Sequence, residues 1–294
     1  MVGTSSIAVL QFHVVTTWSA TLAAGLLATV FALLAPEYAY AQQCFATNSD
    51  GVLAFEGESL TPVSDWQVQS TEPGAINAAY LVWTGPIRQS RIEPNSIIPV
   101  ELQIAAAGRY RLDIRAQIGQ GTAPDQSNDL FVRFADAGDA YGWRRSGDSE
   151  NRRYPRPTCE DNAFISSIEA LPDVGDARCA EGSTLDDFFK VFAIAALDWT
   201  WRARTSDGEG YEILVEFPAA GSYTMELAPR SSFMLIDRVV ITDLDVSRRD
   251  YQALGLPETP CAATEVPIPL WALILGMLGL ALGANMALSR RSAS

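Results

Sequence analysis

The chain has 294 residues, with 35 acidic against 21 basic and a formal net charge of −14. Once its apolar ends are set aside there is room for one large domain, and nucleic acid, which needs clustered positive charge, is excluded as a partner. Its single histidine, His13, lies in the apolar N-terminal stretch, so the remainder cannot assemble a Ser-His-Asp or Cys-His relay or a histidine-ligated metal site.

The first 41 residues carry no Lys, Arg or Asp, run apolar from Val14 to Ala35 and end in Ala39-Tyr40-Ala41, a small-x-small cleavage pattern. Residues 1–41 are therefore expected to be a signal peptide or, because the basic n-region is missing, an uncleaved anchor. Beyond them, strand signals recur as "AYLVW", "IIPVELQIA", "GRYRLDIRAQI", "DLFVRFA", "FFKVFAIA", "YEILVEF", "GSYTMEL" and "FMLIDRVVIT", punctuated by Gly, Pro, Asp, Asn and Ser. In "RYRLDIRAQI" the side chains of Tyr110, Leu112, Ile114, Ala116 and Ile118 share one face, the period of a half-buried strand. Tyr211, Ile213, Val215 and Phe217 repeat it, as do Tyr223, Met225 and Leu227. The expected fold over 42–250 is all-β, a jelly-roll β-sandwich.

From Gly138 to Asp187 the rhythm breaks into polar sequence rich in Arg, Asp and Gly, read as one long excursion at 138–187. All four cysteines lie in the exported stretch and none has CxxC spacing, which favours disulfides. Cys159 is expected to pair with Cys179, stapling the excursion, and Cys44 with Cys261, tying the domain's ends.

"DWTWRARTSDGEG" sets Trp199 and Trp201 on the same face of a strand beside a Gly-Asp turn. Either the rings are core, or one lies open as a platform for a pyranose whose hydroxyls reach Asp207, Asn128 or Arg133. Trp143, inside the excursion, is a third candidate platform. "FEGES" places Glu56 and Glu58 on one side of a strand, and "LIDRVVIT" places Asp237 between apolar neighbours, where an unpaired carboxylate is costly. Either a hard cation or a guanidinium such as Arg238 is needed there.

After Tyr251 comes a Pro-containing linker, 251–265, and then Ile268 to Leu288, about 20 mainly apolar residues, enough to cross a bilayer. Arg290 and Arg291 follow and set the domain outside by the positive-inside rule. The order of Val266-Pro267-Ile268-Pro269, apolar helix and Arg pair resembles the tripartite C-terminal sorting signals of Gram-negative bacteria, which implies a sorting protease as a partner of 266–294; a permanent membrane anchor is the other reading.

The succession "FEGES", "YLVWTG", "PVELQIAAAGRYRLDIRAQ", "SNDLFVRF", "FFKVF", "DWTWRARTSD" and "FPAAGSYTMELAPRSSFMLIDRVVI" resembles carbohydrate-binding modules of the galactose-binding-like β-sandwich type. The resemblance implies a structural Ca²⁺ held by Glu56, Glu58 and Asp237. It also implies a sugar cleft using Tyr80, Trp83, Asn128, Trp199 and Trp201. The function expected is an exported, membrane-anchored or surface-sorted, non-catalytic glycan-binding protein of the cell envelope, with a polysaccharide as partner. A structural or adhesive surface module without sugar binding is the alternative, and a carboxylate-dependent glycosidase or lyase a third.

Overall fold

The computed structural model describes residues 43–262 apart from 90, 124, 194–196, 206, 207, 209, 253 and 254. Contacts divide the chain into Met1–Gln42 and Gln43–Ser294, and every described residue belongs to the second unit. Among the described residues no helix is long and apolar enough to cross a membrane. The expected signal peptide and C-terminal sorting helix lie outside the described residues.

Among the described residues, sixteen strands, numbered in chain order, form one curled sheet whose two halves face each other. The first half runs β1 (Cys44–Ala46), β5 (Ile98–Ile104), β15 (Gly221–Pro229), β7 (Asp129–Phe134) and β11 (Phe189–Phe192). The second runs β14 (Tyr211–Phe217), β6 (Gly108–Ile118), β16 (Met234–Asp243), β4 (Tyr80–Trp83) and β3 (Trp66–Gln69), with β2 (Val52–Glu56) also on β16. Short β13 (Arg204–Thr205) joins the halves by pairing with both β11 and β14. The core between them takes Val100, Leu102, Val132, Met225 and Leu227 from one half and Leu112, Ile114, Ile213, Val215 and Ile241 from the other. The alternation in β6 is realised: Tyr110, Leu112, Ile114, Ala116 and Ile118 all enter this core, leaving Asp113 and Arg115 on the outer face.

β16 is buried along nearly its whole length because its outer face is covered too. It pairs with β6 on one side and with β4 then β2 on the other. Its register slips between Ile236 and Arg238, so Asp237 sits in a bulge. Gly57 follows β2 at that bulge, where any side chain would collide with the carbonyl of Ile236.

The polar excursion at 138–187 is largely ordered sheet. β8 (Asp139–Ser146) pairs with β14 and with β9 (Ser149–Tyr154), and β10 (Val174–Cys179) adds in parallel to β9 after helix α1 (Asn162–Glu169). Asp161 caps the helix, accepting from Ala163 N and Phe164 N at 2.9 and 3.2 Å. The alternation is disguised because the buried positions are arginines. Arg152 lies 4.2 Å from the Tyr141 ring and bonds Glu150, while Arg153 lies 4.5 Å from the Tyr211 ring and bonds Asp176. Both expected disulfides are present, Cys159–Cys179 and Cys44–Cys261, with Cα separations of 4.9 and 5.3 Å.

Residues 258–261 of the expected linker are also ordered against the sandwich. Ala46 N donates to Thr259 O, Thr259 N to Ala54 O, and Cys261 N to Cys44 O. The backbone N of Glu56 donates to the Glu258 carboxylate at 2.6 Å.

Candidate functional site

The second half of the sheet turns its outer face to β12 (Thr200–Trp201), which continues the edge of β6 opposite Ala116 and Arg115. Trp199 and Trp201 lie on this outer face together, as their spacing requires. Trp199 packs with Tyr80, Val82 and Leu235, and Trp201 with Val52, Ala54 and Val240. Both rings are partly buried. The Trp199 indole donates to Pro73 O at 2.9 Å, and its ring lies 5.3 Å from the Arg115 guanidinium. That ring therefore lids a buried charge.

Trp201 borders open space. With Asp113, Thr200, Arg202, Ala203, Arg204, Arg248 and Gln252 it lines a cavity of about 280 Å³. Arg248 and Gln252 arrive from the C-terminal side of the domain, on helix α2 (Arg248–Tyr251) and the residue after it. Gln252 donates to Asp113 at 2.8 Å, and Arg248 lies 3.8 Å from the same carboxylate. Glu212 of β14 takes Arg248 at 2.7 Å and Arg204 at 3.8 Å. Across the ladders Glu212 faces Trp143 on β8 and Arg204 on β13, so all three side chains share the outer face. Trp143 is spent on structure, its indole bonding Glu150 and its ring lying 5.9 Å from Arg109.

Three expected cleft residues are corrected by burial. Tyr80 and Trp83 are each 1% exposed and Asn128 is 3% exposed. Trp83 belongs to the central core, its indole donating to Pro86 O, and the Tyr80 hydroxyl bonds Thr71. None of the three walls a cleft. Arg133 is held by Glu226 and Asp186 O at 2.6 and 2.9 Å. Asp207 lies outside the described residues. Arg202, Arg204, Arg248 and Gln252 were not singled out from sequence; the alternation of "WRAR" placed two of them on the strand, but nothing local brings residues 248 and 252 to it.

The acidic group expected to hold Ca²⁺ is brought together around the bulge. Asp237 binds Arg115 and accepts from Ile76 N at 2.8 Å, and Glu56 binds Arg238. Guanidinium groups thus neutralise two of the three. Among the described residues Glu58 has no such partner. Neither of its buried oxygens has a well-formed hydrogen bond, nor has Oε2 of Glu56. Burial first, then the charges of Glu56 and Asp237, push the Glu58 carboxyl from its ordinary 4.5 to about 7, with Asn77 slightly opposing the rise. Among the described residues no three His, Cys, Asp or Glu side chains form a ready-made metal cage.

A second cavity, of about 590 Å³, opens where the excursion meets β7, lined by Asp139, Asp161, Phe164, Asp187 and Phe189 among others. Its acids already serve the fold: Asp161 caps α1, Asp187 accepts from Thr158, and Asp139 accepts from the Tyr154 hydroxyl.

No family model matches the chain, and no curated protein does. Among solved structures it is similar to a Podospora anserina GH26-CBM35 β-(1,4)-mannanase, at 15% identity and TM-score 0.36 over 68% of this chain and 29% of that one. It is also similar to the C-terminal CBM6 of a Zobellia galactanivorans laminarinase, at 14% identity and TM-score 0.29 over 65% of this chain and 99% of that one. A third is a carbohydrate-binding module of Cellvibrio mixtus lichenase 5A in complex with cellotriose, at 12% identity and TM-score 0.27 over 65% and 95%. The chain spans less than a third of the length of the mannanase. At these scores the likeness assigns no role to any residue of this chain.

Proposed function

We propose that the protein is an exported, non-catalytic glycan-binding protein built on a jelly-roll sandwich, with its sugar site at Trp201. The observation that carries this is the cavity itself. Trp201, Asp113, Gln252 and three arginines line one space, near the lower end of ligand-pocket size, about 300 Å³. Pyranose C–H faces pack on such a ring while hydroxyls meet the polar groups. Export and oxidation agree with the two disulfides. The lack of histidine outside the N-terminal stretch excludes a histidine relay there, while carboxylate-dependent hydrolysis is the reading a reducing-sugar assay would test.

The test is polysaccharide binding by the full-length protein. Trp201→Ala should abolish binding, and so should Gln252→Ala, whose partly exposed side chain holds no core together. Retained binding in both variants would remove this site. A second reading, a structural surface module, is favoured by the packing of Trp201 on Val52, Ala54 and Val240; it predicts that Trp201→Ala only lowers the melting temperature.

Two further parts belong to this reading. Ile268 to Leu288 holds the domain at the membrane through an anchor or cleavable sorting signal, so deleting 266–294 should release soluble protein; a truncated chain that stayed membrane-bound would refute it. A structural Ca²⁺ sits against Glu58 and the unbonded oxygen of Glu56, with Asp237 beside them, supplying the positive charge that Glu58 lacks. Chelation should then lower the melting temperature. Unchanged melting together with no metal by elemental analysis would eliminate the cation.

A further inference from the structure

The cavity at Trp201 is electrostatically unlike the rest of the chain. Three arginines and one aspartate line it in a protein of net charge −14. Two of the arginines are committed: Arg204 to Glu212 and to Gly210 O, and Arg248 to Glu212 and Asp113.

Arg202 is different. Its backbone N is used, donating to Ile114 O at 2.8 Å, and its guanidinium lies 4.8 Å from the Phe192 ring. Among the described residues no carboxylate pairs with it. Burial first, and the charge of Arg204 second, hold its pKa below the ordinary guanidinium value, which an incoming anion would reverse. Above a ring and without a carboxylate partner, the guanidinium has N–H donors to offer a ligand. Thr200 also lines the cavity, and its buried hydroxyl has no hydrogen-bond partner among the described residues. A neutral sugar would leave this charge uncompensated, whereas a carboxylate or sulfate ester would meet it with charge-assisted hydrogen bonds.

We infer that the ligand is an acidic glycan whose anionic group, a uronate carboxylate or an ester sulfate, is read by Arg202 while a ring of the same chain packs on Trp201. The inference rests on the glycan-binding reading of this cavity and adds the charge of the ligand to it. Trp201 supplies contact area to any pyranose; Arg202 discriminates.

The test compares full-length protein, Trp201→Ala and Arg202→Gln on polygalacturonate, dextran sulfate and two neutral polysaccharides, laminarin and mannan, with melting recorded for each protein. The expected result is a preference for an acidic polymer that weakens with added salt. Arg202→Gln should lose that preference by about tenfold or more, the scale of one charge-assisted hydrogen bond, with melting nearly unchanged because no ion pair is lost. Which of the first two polymers binds separates carboxylate from sulfate. Equal binding to neutral polymers, lost in Trp201→Ala but intact in Arg202→Gln, would leave the sugar site standing and overturn its acidic specificity. Binding to none of the four would overturn the specificity as well, and would count against the sugar site itself.

Discussion

Asp237 is fully buried in an apolar stretch, and its partner is decided by the bulge in which it sits. With Ile236 opposite Ala116 and Arg238 opposite Arg115, the side chain between them swings to the Arg115 guanidinium on the outer face. The sequence shows that Asp237 needs a positive partner but not which one, because a one-residue slip in register is invisible in the spacing. Arg238, adjacent in sequence, goes to Glu56 instead. Removing one member of such a buried pair strands the other, so Asp237→Ala should cost about 3–5 kcal/mol in denaturant unfolding. A loss below about 1 kcal/mol, the range of exposed pairs, would show that the pair is not buried in solution. Trp83→Ala should likewise cost about 3–5 kcal/mol, since it is a core residue; loss of glycan binding without loss of stability would restore it to the cleft.

At the scale of elements, the informative case is the added unit β8–β9–α1–β10. The apolar alternation of β6, β14 and β15 was readable because their inward residues are aliphatic or aromatic. In β9 the buried residues are Glu150, Arg152, Arg153 and Tyr154, so charge patterning imitates a loop while ion pairs and ring stacking do the packing. The staple within it closes a separation of 20 residues, and Cys159→Ser with Cys179→Ser should cost about 3 kcal/mol. Asp139 adds a pH signature. Burial first and Glu216 second raise its pKa from 3.8 to about 6. The folded protein then holds this proton more tightly than the unfolded chain, so the contribution of Asp139 to stability declines as pH rises between those two values and is constant above them. Melting of Asp139→Asn should decline less across that window than melting of the native protein; identical slopes would show that Asp139 is not buried in solution.

Over the whole molecule, the two chain ends of the sandwich meet. β1, β2 and residues 258–261 form one hydrogen-bonded group clamped by Cys44–Cys261, across a separation of 217 residues. The pairing was legible because adjacent termini are common in sandwiches; the docking of the intervening Pro-containing segment was not, since its bonds are backbone bonds to residues some 200 positions away. The same is true of the site. Trp199 and Trp201 were correctly placed on one face, yet the cavity was completed by Arg248 and Gln252, which no local pattern assigns to it. What distinguishes the two rings is their surroundings: Trp199 covers Arg115, and Trp201 borders the cavity.

That difference gives the most direct measurement of the central claim, titration of a glycan-array ligand into full-length protein and into Trp201→Ala. Single-site sugar contacts are expected to bind with micromolar to millimolar affinity, and the variant should lose binding while keeping a cooperative melting transition. Undiminished binding by Trp201→Ala, or no glycan bound by the intact protein at millimolar concentration, would contradict a sugar site at this cavity.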